Sequence, residues 1–249
     1  MNIAIIPARG GSKRVPLKNI REFAGIPMLT RTIKTLHNSE CFDQIIVSTD
    51  SEDIANIASK SEKCEIHWRD PILAEDNANT VDVIDHVINS IGIVSNSNIC
   101  CVYAPNPFLL PSAIQLGLRI LESNDDADYV SPVTTFPFPI QRSLSFQDSE
   151  KLISMTWPEH LLSHSQSLSP NFHETAQFWW AKGATWASRR PMQLNMVGIY
   201  TPRWMCQDID TFEDWKQAEI RWEILNRDGT LENYKFTEEN ILTRHGYFE

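Results

Sequence analysis

Residues 2–19 read NIAIIPARGGSKRVPLKN, and the way this stretch begins decides the fold. Ile3, Ala4, Ile5 and Ile6 make a continuous, β-branched apolar run, the pattern of a strand covered on both faces rather than one. Working outward, MLTRTIKTL (28–36) puts Leu29, Ile33 and Leu36 on one helical face, and QIIVSTD (44–50) reads as a second strand. SEDIANIASK (51–60) is a short helix with Ile54, Ile57 and Ala58 inward, followed by the strand EIHW (65–68). A helix over 80–94 with Val81, Ile84, Ile88 and Ile91 at helical spacing precedes the buried strand NICCVYA (98–104). PSAIQLGLRILES (111–123) follows a proline, with Ser112 as its expected N-cap, and DYVSPVTTF (128–136) is a fifth strand. Strands alternating with helices imply an α/β protein with a mainly parallel sheet, covered by helices on both faces and joined by right-handed crossovers. Ligands in such sheets bind at the carboxyl ends of the strands. That rule puts residues 7–19, 48–50, 69–80 and 103–108 along one edge.

The alternation breaks at residue 137. Residues 137–191 are rich in Ser, Pro, His and Trp and have little periodicity. A structureless loop of that length is improbable in a compact domain, so an insertion with its own strands is expected. Its Trp and Phe residues call for a partner surface, preferably a subunit interface. The βα pattern returns with QLNMVGIYTP (193–202) and a helix opening at DIDTFEDW, where Thr211 and Asp214 have the spacing of a capping box with Asp in place of Glu or Gln. Trp215, Ala218, Trp222 and Leu225 form its inward stripe, and the tail from 226 to 249 is polar and weakly patterned.

Composition narrows the partners. The 249-residue chain has a formal net charge of −10, which argues against a general nucleic-acid or membrane-surface binder. A cationic cluster in such a chain suits a small anionic ligand. Its five cysteines are odd in number and lack CxxC spacing, as expected of reduced thiols in a cytoplasmic protein. The first strand begins at residue 3, leaving no room for a signal peptide, and no apolar run reaches the roughly 18 residues that span a bilayer.

Against that acidic background, Arg9, Lys13, Arg14 and Lys18 surround Gly10 and Gly11 at the end of the first strand. Glycines there let backbone approach an anion, and Arg and Lys supply charge and forked donors for phosphate oxygens. The stretch is neither GxGxxG nor GxxxxGK[ST], which excludes the two commonest phosphate loops. Asp208 and Asp210 alternate in an extended segment just before a helix. They are either a hard-oxygen site for Mg²⁺ or, in the plainer reading, a helix start and a solvated acid. STD (48–50), Arg69 and AEDNANT (74–80) have the short polar side chains of a base and ribose site, or are ordinary loop chemistry with Asp50 capping the next helix.

IIPARGGSKRVPLKN (5–19) resembles the N-terminal signature of the CMP-sialic acid synthetase family, cytidylyltransferases that activate nine-carbon acidic sugars. PMLTRTIKTL, IIVSTDSEDIANIA, YAPNPFLLPSAI and DIDTFEDWKQAE follow in the family's order, so the resemblance covers residues 3 to 222. VTTFPFPIQRSL, WPEHLLSHSQSL and HETAQFWWAKGATW are most similar to the branch that handles pseudaminic acid. The resemblance implies a single Rossmann-like, doubly wound domain of the nucleotide-diphospho-sugar transferase type, with an inserted dimerisation arm over approximately 137–176. It implies transfer of CMP from CTP to a nonulosonic acid, with release of pyrophosphate. In that scheme Arg9, Lys13 and Lys18, helped by Arg14, act catalytically on the triphosphate alongside Ala8, Gly10, Gly11 and Ser12. Asn19, Arg69 and Thr80 lie near the base and ribose, and Asp208 and Asp210 hold Mg²⁺. Tyr103, Gln141, Arg142, His173 and Gln177 would meet the sugar, Arg142 through its carboxylate and Gln141, His173 and Gln177 through its amides. The family is typically a homodimer whose exchanged arms complete each other's sugar sites. Sialate-type relatives have Thr-Ser where this chain has Pro105-Asn106, and the proline removes a backbone donor from that loop. Legionaminic acid, N-acetylneuraminic acid or Kdo are alternative sugars, and a non-catalytic nucleotide-sugar binder is the alternative from another class.

Overall fold

The computed structural model describes residues 1–75, 77–147 and 151–243. Asp76 of the 74–80 segment, residues 148–150 of the insertion and 244–249 of the tail lie outside the described residues. β1 (Asn2–Pro7) is followed by a small antiparallel pair, β2 (Glu22–Phe23) and β3 (Ile26–Pro27), and by α1 (Met28–Ser39). β4 (Gln44–Thr49), α2 (Glu52–Ala58), β5 (Cys64–Trp68), α3 (Thr80–Ile91), β6 (Asn98–Val102), α4 (Pro111–Ser123) and β7 (Tyr129–Thr135) continue the alternation. β1 is parallel to both β4 and β6, and β4 to β5.

The strands are apolar throughout because both faces are covered. Ala4, Ile6, Ile45 and Val47 face a cluster with Leu29, Ile33, Ile114 and Trp215, while Ile3, Ile5 and Ile46 face another with Ile84, Val87 and Trp186. The period of two along β1 thus divides one apolar run between two cores. Caps define the helices that frame the sheet edge. Asn79 accepts from the Asp82 N–H at the start of α3, and Gly92 ends that helix at φ +68°. The expected cap at Ser112 does not form: Leu110 is the N-cap of α4 and Pro111 fills its first turn, where no N–H is needed. The Ser112 hydroxyl instead accepts from the Phe236 N–H, tying the tail to the domain.

The chain from 137 departs from expectation in a specific way. Residues 137–147 and 151–171 lie outside the eight-stranded sheet and carry a small antiparallel pair, β8 (Leu144–Phe146) and β9 (Ile153–Met155). The next residues return to the centre. β10 (Phe172–Glu174) and β11 (Phe178–Lys182) run antiparallel to β7, and β11 also pairs with β6. An antiparallel strand is therefore wedged between β6 and β7, and the expected arm ends near 171, not 176. Trp179 and Trp180 are core, not interface. Both are buried, as is Trp186 in the short helix α5 (Gly183–Ala187). The Trp180 indole N–H donates to the Ile114 carbonyl at 3.2 Å and its ring stacks on Phe42 at 5.1 Å. Each such indole removes some 150–250 Å² from water, a gross gain of roughly 4–6 kcal/mol.

β12 (Met196–Tyr200) then adds parallel to β7, completing an eight-stranded sheet. α6 (Phe212–Arg227) begins with the capping box: Thr211 accepts from the Asp214 N–H, and the Asp214 carboxylate accepts from the Thr211 N–H. α7 (Thr230–Asn233) and Phe236 return Leu231 and Phe236 to the core, so the tail is less solvated than its composition suggests. Among the described residues no helix is long and apolar enough to cross a membrane. All five cysteines are free thiols, with Cys100 and Cys101 fully buried.

Candidate active site

The carboxyl ends of β1, β4, β5 and β6 meet at one edge, where hydrogen bonds join the four segments. The Ala8 N–H donates to the Ser48 carbonyl at 2.9 Å, and the Gly10 N–H donates to the Asp50 carboxylate at 2.8 Å. Asp50 therefore anchors the glycine loop and does not cap α2, whose N-cap is Ser51. Gly10 is required here because a Cβ would lie 2.9 Å from the Ser51 Cβ. A Cβ at Gly11 would meet nothing within 4 Å, so the protein itself makes no steric demand for that glycine.

The loop's charge lies in its side chains. Ala8 is buried in the core, the Gly10 N–H is taken by Asp50, and the Ser12 N–H donates back to the Gly10 carbonyl at 3.0 Å. The expected backbone cradle is thus partly used internally. Arg9, Ser12, Lys13, Arg14, Lys18, Asn19 and Asp210 line a cleft of about 470 Å³. The Arg9 guanidinium donates to the Ala74 carbonyl at 3.2 Å, and Asn19, buried, donates to the Arg9 carbonyl at 2.9 Å.

The Asp-Ile-Asp segment, 190 residues away in sequence, closes this cleft. The Lys18 Nζ donates to the Ile209 carbonyl at 2.6 Å and lies 3.4 Å from the Asp210 carboxylate, which Arg14 pairs at 2.9 Å. Ile209 is wholly buried and turns the two aspartates to the opposite side. Asp208 reaches solvent at the cleft, yet crowding by protein and then the Asp210 charge raise its pKa. Two neighbouring carboxylates beside a cationic loop form a hard-oxygen donor set. This is the chemistry of a Mg²⁺ site shared with phosphate oxygens, so the residues fit that ion.

The remaining expected residues divide. Arg69 is 8% exposed; its guanidinium donates to the Ser48 hydroxyl and carbonyl, and burial lowers its pKa. It fastens the end of β5 to that of β4. The Thr80 hydroxyl is 2.9 Å from the Tyr103 hydroxyl, whose pKa burial raises. Tyr103 joins Pro7, Arg9, Lys18, Asn19, Pro105, Glu174, Ala176 and Asp208 around a second cleft of about 330 Å³, continuous with the first through Arg9, Lys18 and Asn19.

Of the five residues expected at the sugar, only Tyr103 lines this cleft. Gln177 is buried, its amide donates to the Met205 carbonyl, and its own carbonyl accepts from the Tyr103 N–H; it is a structural residue of the β10–β11 connection. Gln141 donates to the Ser169 carbonyl within the inserted segment, where Arg142 also lies. His173 is exposed, with its ring against Phe136 and its Nδ1 2.8 Å from the Glu174 carbonyl. Alternation along β10 turns His173 away from the face that Glu174 presents. Glu174 was not anticipated: a lone acid ahead of an aromatic run has no distinguishing pattern, and only the bend after β10 aims it at the cleft.

This mainly parallel sheet, with its cationic loop and distant acidic pair meeting at the carboxyl edge, defines a nucleotidyltransferase. Among solved structures, it superposes on CMP:2-keto-3-deoxy-manno-octonic acid synthetase complexed with CTP (TM-score 0.66, 12% identity, 91% of this chain and 99% of that one). It also superposes on 4-diphosphocytidyl-2C-methyl-D-erythritol synthase (TM-score 0.60, 12% identity, 88% and 97%). The chain belongs to the cytidylyltransferase family, whose model matches residues 3–245. It is 31% identical over 229 residues to a pseudaminic acid cytidylyltransferase of Campylobacter jejuni, covering 90% of this chain and 97% of that protein. N-acylneuraminate cytidylyltransferase B of Danio rerio is 27% identical over 88% of this chain and 50% of its own length.

Proposed function

We propose that this protein transfers CMP from CTP to the anomeric hydroxyl of pseudaminic acid, releasing pyrophosphate. The observation that carries the reading is the junction of Lys18 with the Ile209–Asp210 segment, which joins a triphosphate-sized cationic cleft to an acidic pair. The similarity to the Campylobacter jejuni enzyme over nearly the whole chain supports the choice of sugar.

In this reading Arg9, Lys13, Arg14 and Lys18 bind the triphosphate, and Asn19 orients the loop through the Arg9 carbonyl. Such transfers require positioning and charge neutralisation more than covalent chemistry by the protein. Asp208 and Asp210 would hold Mg²⁺, which when bound polarises the α-phosphate and offsets charge on the departing pyrophosphate. Arg14 and Lys18, which share Asp210 here, lie within reach of both partners and so couple the acidic pair to the triphosphate. The acceptor enters beside Tyr103, whose hydroxyl Thr80 orients.

The same reading takes the inserted segment 137–171, with exposed Leu144, Phe146, Leu152, Ile153, Leu161 and Leu162, as the contact with a second copy of the chain. That contact would bring Gln141 and Arg142 to the partner's acceptor cleft. Light scattering at micromolar concentration should return the mass of a dimer. A cytoplasmic location is consistent with the five free thiols.

The test of the reaction is pyrophosphate release from CTP with a panel of pseudaminic, legionaminic, N-acetylneuraminic and 3-deoxy-manno-octulosonic acids, with and without Mg²⁺. Turnover with pseudaminic acid that is abolished by chelation and restored by Mg²⁺ is the expected result. Turnover with N-acetylneuraminic acid alone refutes the choice of sugar, and full activity in chelator refutes the metal.

A further inference from the structure

The geometry points to Glu174 as the proton acceptor for the attacking hydroxyl, a role distinct from the Mg²⁺-holding role given to Asp208 in the same cleft. The inference rests on the cytidylyl-transfer reading above. Glu174 ends β10, opposite Val133 of β7, and the chain then leaves the sheet for Thr175–Gln177 before β11 begins. This bend is heavily tied down. The Thr175 N–H donates to the Pro132 carbonyl, Asn106 donates to the Ala176 carbonyl, Gln177 donates to Met205, and Thr175, Gln177 and Asn106 are almost wholly buried. Ala176 is held at φ +52°, a conformation that disfavours any residue with a Cβ. The Ala176 N–H thereby points back at Glu174 and donates to its Oε2. A strained backbone kept in place by so many bonds is a means of fixing one side chain.

What it fixes is a carboxylate on the wall of the acceptor cleft, across from Arg9 and Lys18 and beside Tyr103 and Asp208. Three acids therefore share this region. Yet among the described residues no three His, Cys, Asp or Glu side chains come together closely enough to hold one metal ion. Glu174 lines the same cleft as Asp208, and the cations that pair Asp210 are Arg14 and Lys18. One oxygen is anchored by the Ala176 N–H, and the residue lines the cleft.

The step balances without any further reactant. The anomeric oxygen forms a bond to the α-phosphorus, the bond from the α-phosphorus to the bridging oxygen of the β-phosphate breaks, and pyrophosphate leaves with that electron pair. The hydroxyl proton passes to the Glu174 carboxylate and from there to solvent. Positioned proton acceptors contribute about 10²–10⁴-fold to such steps.

Glu174→Gln is the informative variant, because the amide oxygen still accepts from Ala176 while the amide nitrogen can no longer take a proton. The expected result is a fall in kcat of about 100-fold or more, with the CTP KM, the acceptor KM and the melting temperature near those of wild type. Glu174→Asp should recover part of the loss and Glu174→Ala none. Retention of kcat within threefold in Glu174→Gln overturns the proposal, as does a loss carried by either KM or weaker CTP binding by calorimetry. If wild-type protein turns over a sugar other than pseudaminic acid, the substrate reading fails and Glu174 is measured with that sugar. No wild-type turnover with any acidic sugar overturns the function and this inference together, an outcome distinct from an active Gln variant.

Discussion

Replacing Lys18 by methionine removes a side chain that, with Arg14, joins the two halves of the cleft, and its effects on stability and on activity are separable. The side chain is 19% exposed, and its amine donates to the Ile209 carbonyl at 2.6 Å and sits 3.4 Å from Asp210. A hydrogen bond to a charged group contributes about 1.5–3 kcal/mol. The Asp210 contribution is screened because that carboxylate is 41% exposed, and methionine keeps most of the stem's packing. A net loss of about 1–2 kcal/mol follows. For a domain of this size that lowers Tm by about 2–8 °C. Arg14 offers an internal comparison: its pair with Asp210 joins side chains 67% and 41% exposed, so Arg14→Met should cost at most about 1 kcal/mol. In catalysis, loss of a preorganised donor aimed at developing charge costs about 10²–10³ in kcat. Thermal unfolding followed by circular dichroism and pyrophosphate release at saturating CTP measure the two effects. Lys18→Met with a Tm within a degree of wild type, or with kcat within threefold, would show that the 2.6 Å contact is not the join between loop and acidic pair.

Other expectations rest on single features. Asp208→Asn should abolish turnover yet raise the Tm of the ligand-free protein at pH 7. A carboxyl whose folded pKa is raised gives stability below its unfolded value that is lost as pH rises through the folded one. The gain should be modest because solvent reaches the carboxylate, and it should shrink as pH falls toward the ordinary value of 3.8. Gly117→Ala puts a Cβ 2.6 Å from Trp180 Cδ1 and 3.0 Å from Phe178 Cε2, and should destabilise by about 1–3 kcal/mol in urea titration. Thr211→Ala removes the cap of α6 and should cost about 1 kcal/mol. Because the same helix start follows Asp210, CTP-dependent turnover should fall more than stability alone explains.

The cationic side of the cleft was legible because its signals are local. A β-branched run, two glycines and four cations sit within 19 residues, and the Thr211–Asp214 box is written in four. The side lined by Tyr103 and Glu174 was not, because its signals are tertiary. FWW is equally apolar whether it enters a core or meets a partner, and a fully buried strand carries no alternation to tell parallel from antiparallel. Gln177 and Glu174 have similar side chains three residues apart. One is consumed by Met205 and the other faces the cleft, a difference set by the φ of Ala176. Ser112 has the composition of a cap but was displaced from that role by Pro111.

The antiparallel strand wedged into the sheet also bears on how the chain is made. β6 pairs only with β1 and β11, and its sequence NICCV is almost entirely apolar. While a ribosome is still adding residues 103–177, β6 is an open edge with free backbone donors and acceptors along an oily ribbon, the feature that templates intermolecular strand addition. The 75 residues from 103 to 177 separate this edge from the strand that seals it. That interval holds α4, β7 and the Ser- and Pro-rich stretch from 137 to 171, all of which are made before the strand that seals the edge.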